Sequence, residues 1–398
     1  MGNLYRLNSL FEIELSEFPD VPLFDKGLLE RSHILEYLFL VLSKEKDFTL
    51  FSQSPSKELI EYWEKNKIRH GNIVQTDNFY YPKTNPINKK MKDFNLIEWG
   101  KTSRINAKDS LLQKKEQTIF QSKFINSKLN QSHWKDNLRI NSLNTIVCTN
   151  ETELEYCLSC MSFPCVIKQE FSFAGRGNII LKTKSDLTIN EKKIDTIFKN
   201  NPNGVLVEEW VEDRKLYDFS GIFELSSKIS KLLAVTKMLI DKSGVYRGSI
   251  IQKKFEESLA SNLQNVANNI RRFNASYSGP FSMDGFAYKK NSETEFQLMS
   301  EINYRYSMGR ILYDLNEKIG TKQNDYALIF LPIKTKKPQF KSVISDLSKI
   351  EKEYSAKILL LTPLSDANNK SYPFAVFYIS TQKDFPMKII ESIKKVIS

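Results

Sequence analysis

In the heptapeptide MSEINYR, residues 299 to 305, the polar residues Glu301, Asn303 and Arg305 stand at every second position. Side chains alternate across a β-strand with period two, so an extended segment puts all three on one face. The run GPFSMDGFAY carries Asp284 upstream, and a turn near residues 291 to 293 folds the two runs into a hairpin. Regular pairing about that turn sets Asp284 opposite Met299 or diagonally beside Glu301. Two carboxylates at that distance repel unless a cation lies between them, and Asn303 adds a neutral oxygen. Oxygen-only ligands of this kind suit magnesium held jointly by protein and substrate phosphates. Arg305, one step further along the face, can grip a phosphate or carboxylate in bidentate fashion. Flanking Phe281, Met283, Phe296, Leu298 and Ile302 argue for burial on both faces of the hairpin.

Two other stretches carry chemistry. In FPCVIKQEFSFAGRGNIIL an apolar strand delivers Lys168 at its end, and a turn with Gly175, Arg176 and Gly177 leads into a second apolar strand. Glycines let backbone N–H groups approach phosphate oxygens, and a strand-anchored lysine adds a fixed positive charge. Alone, such a turn also fits an ordinary hairpin. In GVLVEEWVEDRKLYD an apolar strand ends on Glu208, Glu209, Trp210 and Val211. A strand end of that kind can offer backbone groups to a purine, or it can simply be solvated. The histidines His33, His70 and His133 all lie outside these stretches, which disfavours His-based nucleophilic chemistry.

Alternating strands and helices must position these groups. FEIEL reads as a strand, residues 28 to 43 as a helix, FTLFS as a strand, and SPSKELIEYWEKNKI as a helix capped by Ser56. GNIVQ and FNLIEWG complete a small α/β layer with a parallel sheet. Residues 145 to 183 alternate again, and a helix from Phe255 to Phe273 follows, with Leu259, Leu263, Val266 and Ile270 on its apolar face. The last 75 or so residues read as a separate β-α-β-β-α lobe. The expected class is therefore α/β and α+β, with domains at 1–115, 116–320 (a lid subdomain at about 145–210) and 321–398.

The order of these motifs over residues 120 to 315 resembles the ATP-grasp ligases. The resemblance implies that Lys128 in FINSKLN and Lys168 hold ATP phosphates, with Gly175, Arg176 and Gly177 closing over them. It implies Glu208 on the adenine amino group, the Glu209, Trp210 and Val211 backbone on the ring, and Asp213 or Asp218 on the ribose. Asp284, Glu301 and Asn303 would bind Mg2+, with Mn2+ as a substitute. Arg305 would position an acyl phosphate, and Arg247 in VYRGS would be a second clamp. The implied reaction activates a carboxylate with ATP for attack by an amine or thiol, releasing ADP and phosphate. Bicarbonate activation of the carboxylase type, or nucleotide binding without turnover, are the alternatives. Small-molecule acids and amines, amino acids and peptides among them, are the implied partners, and a homodimer is compatible. The N-terminal residues would form the pre-ATP-grasp lobe.

Composition sets bounds on all of this. A chain of 398 residues is too long for one ordinary core. The net charge of +11 is spread along the chain without a dense basic block or nucleic-acid motif, so small anionic ligands are expected rather than nucleic acid. No apolar run is long enough to cross a bilayer, and no signal peptide is visible, which points to the cytoplasm. Cys148, Cys157, Cys160 and Cys165 could complete a zinc set, but three of them sit on apolar stripes, where a small buried hydrophobe is the simpler reading.

Overall fold

The computed structural model describes residues 2–16, 26–75, 94–102, 112–140, 143–172, 177–226, 229–241, 245–274, 276–319, 325–334, 338–382, 385 and 387–398. Short strands β1 (Asn3–Arg6), β2 (Phe48–Phe51), β3 (Asn72–Gln75) and β4 (Asn95–Glu98) form a parallel sheet in the order β3-β2-β1-β4. The helix Lys26–Leu42 buries every residue from Ser32 to Leu42, as its nearly unbroken apolar run requires. The helix Lys57–Lys65 begins where Ser56 accepts a hydrogen bond from the Leu59 N–H. FEIEL departs from expectation, because Phe11–Ser16 is a helix and β1 takes the place of the first strand. Leu10, Phe11 and Leu15 are buried at helical spacing, which outweighs the alternating Phe-Glu-Ile-Glu-Leu pattern.

A second sheet follows, antiparallel and ordered β5-β8-β6-β7, built from β5 (Thr145–Cys148), β6 (Cys165–Gln169), β7 (Ile179–Leu181) and β8 (Val205–Glu209). The helices Glu151–Cys160 and Asp186–Asn200 accompany it, the first with Leu154, Cys157 and Leu158 buried and the second with Ile194 and Ile197. Cys148, Cys157 and Cys165 lie in this core, whereas Cys160 is exposed. Burial pushes the Cys148 thiol up to about 12, which suits an inert packing role.

The largest sheet has eight strands in the order β13-β12-β9-β10-β11-β14-β16-β15. Its members are β9 (Lys215–Leu225), β10 (Ser230–Ile240), β11 (Tyr246–Gln252), β12 (Gly279–Lys290), β13 (Glu293–Asn303), β14 (Asp325–Pro332), β15 (Ala356–Leu360) and β16 (Phe374–Thr381). The helix Lys253–Ile270 packs Leu259, Leu263, Val266 and Ile270 beneath one half. The segment read as a separate C-terminal lobe does not build a sheet of its own, since β14 pairs with β11 and carries β16 and β15 beside it. Among the described residues no helix is long and apolar enough to cross a membrane.

The N-terminal lobe is fastened to the β15 edge of this sheet and to the helix Met308–Ile319 that packs on its middle strands. Trp63 is fully buried and donates its indole N–H to the Leu360 carbonyl at 2.9 Å. Lys318, near the end of the helix Met308–Ile319, donates to the carbonyls of Val41, Ser43 and Arg69 at 2.6, 2.6 and 2.7 Å. Replacing Trp63 with Ala should cost about 3–5 kcal/mol by removing a large buried side chain. Urea unfolding monitored by circular dichroism measures that loss, and an unchanged midpoint would contradict this account of the lobe contact.

Candidate functional site

The β12–β13 hairpin turns at Asn291 and Ser292, both with positive φ (50° and 68°), as a two-residue turn requires. Regular pairing runs from Lys290 and Glu293 to Phe286 and Gln297, and its extension would put Asp284 opposite Met299. Instead the register shifts between Asp284 and Phe286, so Asp284 faces Glu301 directly. Gly285 makes the bulge possible, because a Cβ there would lie 2.4 Å from the Gln297 carbonyl oxygen. Ser220 of β9 donates to Asp284 Oδ1 at 2.6 Å, and Asn303 Nδ2 donates to Oδ2 at 3.0 Å. Burial pushes the Asp284 carboxyl up to about 6; the Ser220 hydroxyl opposes that rise and the Glu301 charge adds to it.

Arg305 continues the same line of residues. Its Nη2 donates to Asn303 Oδ1 at 2.9 Å and stands 2.5 Å from Glu12 Oε1 of the N-terminal lobe. Among the described residues no group of three or more His, Cys, Asp or Glu is placed to hold a metal. A cation at the Asp284–Glu301 pair would therefore complete its shell with oxygens from elsewhere, which fits magnesium taken up together with phosphates.

Lysines face this pair from the other side. Ser127 caps the helix Lys128–Leu138 and donates to Glu170 Oε1 at 2.6 Å, which ties the helix start to the chain just after β6. Lys128 in the first turn then reaches Ser172 Oγ at 3.1 Å and Glu301 Oε1 at 3.2 Å. Two turns on, Lys135 is buried and meets Glu208 Oε1 at 3.0 Å, while Lys168 meets Glu208 Oε2. Burial alone would raise the Glu208 carboxyl, but the two ammonium groups hold it down at about 2. Glu208, the residue expected at a purine amino group, thus anchors two lysines at the edge of the candidate cavity. Lys135 was not singled out from the sequence, although its spacing of seven from Lys128 repeats one helix face and was the available signal.

Lys128, Lys168, Ser172, Glu208, Trp210 and Glu301 are among the residues that line one cavity of about 150 Å³. Glu209, Val211 and Asp218 share its wall; Glu209 pairs with Arg214 at 2.6 Å and Asp218 with Lys215 at 3.1 Å. The Trp210 N–H is taken by the Pro164 carbonyl at 2.9 Å. Gly177 has φ of +82°, a left-handed conformation that favours glycine, and Gly175 and Arg176 lie outside the described residues. Arg247 does not line this cavity. It pairs with Asp241 at 2.7 Å and lines a different cavity, of about 640 Å³, between β10, β11 and the C-terminal helix Lys388–Val396.

No family model and no curated protein matches the sequence. Solved structures do match its fold. The N5-carboxyaminoimidazole synthetase of Staphylococcus aureus, complexed with ADP, superimposes with a TM-score of 0.57 at 10% identity, over 100% of this chain and 97% of that one. The N5-carboxyaminoimidazole ribonucleotide synthetase of Thermotoga maritima gives 0.56 at 12% identity, over 100% and 98%. The biotin carboxylase domain dimer of the Hydrogenobacter thermophilus 2-oxoglutarate carboxylase, with MgADP, ADP and bicarbonate, gives 0.55 at 10%, over 96% and 86%. These proteins are ATP-grasp enzymes, and the near-complete coverage extends the likeness beyond the nucleotide-binding core to both ends of the chain. The chain has the ATP-grasp fold.

Proposed function

We propose that the protein is an ATP-dependent, ADP-forming ligase that activates a carboxylate as an acyl phosphate for attack by an amine or thiol. The observation that carries this reading is Asp284 set face to face with Glu301, which itself lines one cavity together with Lys128 and Lys168. Phosphoryl transfer asks a protein for charge neutralisation and positioning more than for an acid or base, and these residues supply both. Asp284, Glu301 and Asn303 would hold magnesium, which screens the charge that develops on the phosphoryl oxygens. Support for the fit comes from Asp284 itself, an enclosed carboxyl raised to about 6 beside a second carboxylate, which a cation would relieve.

The cavity as it stands is smaller than the roughly 300–1,000 Å³ of ligand pockets, because the Lys128–Glu301 and Lys168–Glu208 contacts cross it. A triphosphate would draw both lysines to itself. Glu208 would keep Lys135 as counter-ion, so Lys135 lets Lys168 leave without stranding a buried charge. Adenine would rest on the strand end at Glu209 to Val211, and the ribose beside Asp218. Arg305 would hold the transferred group.

A second reading takes bicarbonate as the acid, and it is favoured by the likeness in fold to a carboxylase domain solved with bound bicarbonate and to the carboxyaminoimidazole synthetases. Measuring ADP release with Mg2+ and ATP separates the two: release that needs an added organic acid supports the ligase, and release that needs only bicarbonate and an acceptor supports carboxylation. No ADP under any condition, with ATP bound, would overturn both.

Glu301→Ala should abolish that ADP release while the protein still melts cooperatively; wild-type turnover would rule out the metal assignment. Lys168→Ala should weaken ATP binding by about 2 kcal/mol, in the range of a charge-assisted contact, as read by calorimetry. An unaltered affinity would remove Lys168 from the phosphate site. For Glu208 the folded value of about 2 lies below the ordinary carboxylate value, so its pairs stabilise the fold above about pH 4.5 and that contribution fades as pH falls towards 2. In Glu208→Gln the acid limb of the unfolding curve should flatten, and an acid limb identical to wild type would contradict the ion-pair description.

A further inference from the structure

The proposed nucleotide site leaves one polar atom without a role. Asn178 lines the same cavity as Lys128, Lys168 and Glu208, and its enclosed amide oxygen meets no hydrogen-bond donor among the described residues. Register explains why the side chain lies there. β6 and β7 set Val166 opposite Ile180 and Ile167 opposite Ile179, and one further step sets Asn178 beside Lys168. Ile167 and Ile179 belong to the core of this small sheet, so Val166, Lys168 and Asn178 share the opposite face, which is the cavity wall. Gly177, with φ of +82°, turns the chain into that position.

An enclosed amide oxygen needs a donor, so the ligand group that meets it must carry an N–H or O–H. Phosphate oxygens are acceptors and cannot serve. Of the parts of ATP, that leaves the adenine amino group and the ribose hydroxyls. The ribose falls to Asp218, on β9, and the base to the strand end of β8 at Glu209 to Val211. From β8 across β6 to β7 there are two strand spacings, roughly 10 Å, a gap that a purine bridges with a hydrogen bond at either end. The amino group carries two N–H donors, so one can go to the strand end while the other goes to β7. Glu208, on the same wall, has its two oxygens engaged by Lys135 and Lys168, whereas Asn178 Oδ1 has no bond to give up.

We propose that Asn178 reads the base: its Oδ1 accepts one N–H of the adenine amino group, which makes the cavity select adenine over a purine with a carbonyl at that position. The assignment rests on the nucleotide-binding reading of the cavity and is independent of which acid is activated. A carbonyl there would set two acceptor oxygens face to face, each without a donor.

Calorimetric titration of the full-length protein with ADP and with inosine diphosphate (IDP), both with Mg2+, tests the assignment, because the two ligands differ in the base and carry the same charge. Wild type should bind ADP more tightly than IDP by about tenfold or more. Asn178→Leu, similar in size and without polar atoms, should weaken ADP and lower the ADP-to-IDP ratio by about tenfold. Asn178→Asp has only acceptor oxygens and should keep the preference for ADP, whatever its charge does to the two affinities together. If Asn178→Leu does not fold, Asn178→Ala takes its place. The assignment is overturned if wild type binds the two alike or prefers IDP, if the folded Leu or Ala variant keeps the wild-type ratio, or if Asn178→Asp loses it. ADP binding that weakens in Lys168→Ala, with a ratio insensitive to residue 178, would count against Asn178 alone. No ADP binding at all would remove the nucleotide reading of the cavity and this assignment with it.

Discussion

The repulsion between Asp284 and Glu301 is the constraint on which the rest of the site depends. Two carboxylates placed directly across a ladder destabilise each other, and the fold keeps them there through a bulge, a glycine and hydrogen bonds from Ser220 and Asn303. A pair of charges retained at such cost marks a position where an additional cation changes the balance. Lys128 already meets one side of the pair, and Arg305 is linked to the other through Asn303.

Around that pair the chain arranges its cations in two ranks. Lys128 and Lys168 border the cavity, and Lys135 sits behind, buried against Glu208. The arrangement separates two jobs that a single lysine could not do together. One ammonium stays with the buried carboxylate while the other is available to an anion in the cavity, so the interior is never left with an uncompensated charge. Lys128 and Lys135 share one helix face, and Lys168 and Glu208 lie on the neighbouring strands β6 and β8, so the positions follow from secondary structure alone.

Much of this geometry was legible in the sequence because it is carried by period. Alternation in MSEINYR located Glu301, Asn303 and Arg305 on one line, and the apolar strand before Lys168 fixed where its ammonium emerges. What could not be read was register and handedness of detail. The bulge at Gly285 moves the partner of Asp284 from Met299 to Glu301, and no pattern of residue types announces a two-residue slip. FEIEL alternates like a strand yet folds as a helix, because the burial of Leu10, Phe11 and Leu15 follows the longer period.

The pairing of β14 with β11 bears on how the chain can be divided. Ending it after residue 319 would strip β11 of its neighbour along Gly248 to Gln252, leaving a bare row of N–H and C=O groups beside buried Ile250 and Ile251. Such an edge is a template for another chain's strand, so the shortened protein would gain a route to self-association. The final strands thus guard the sheet against its own kind.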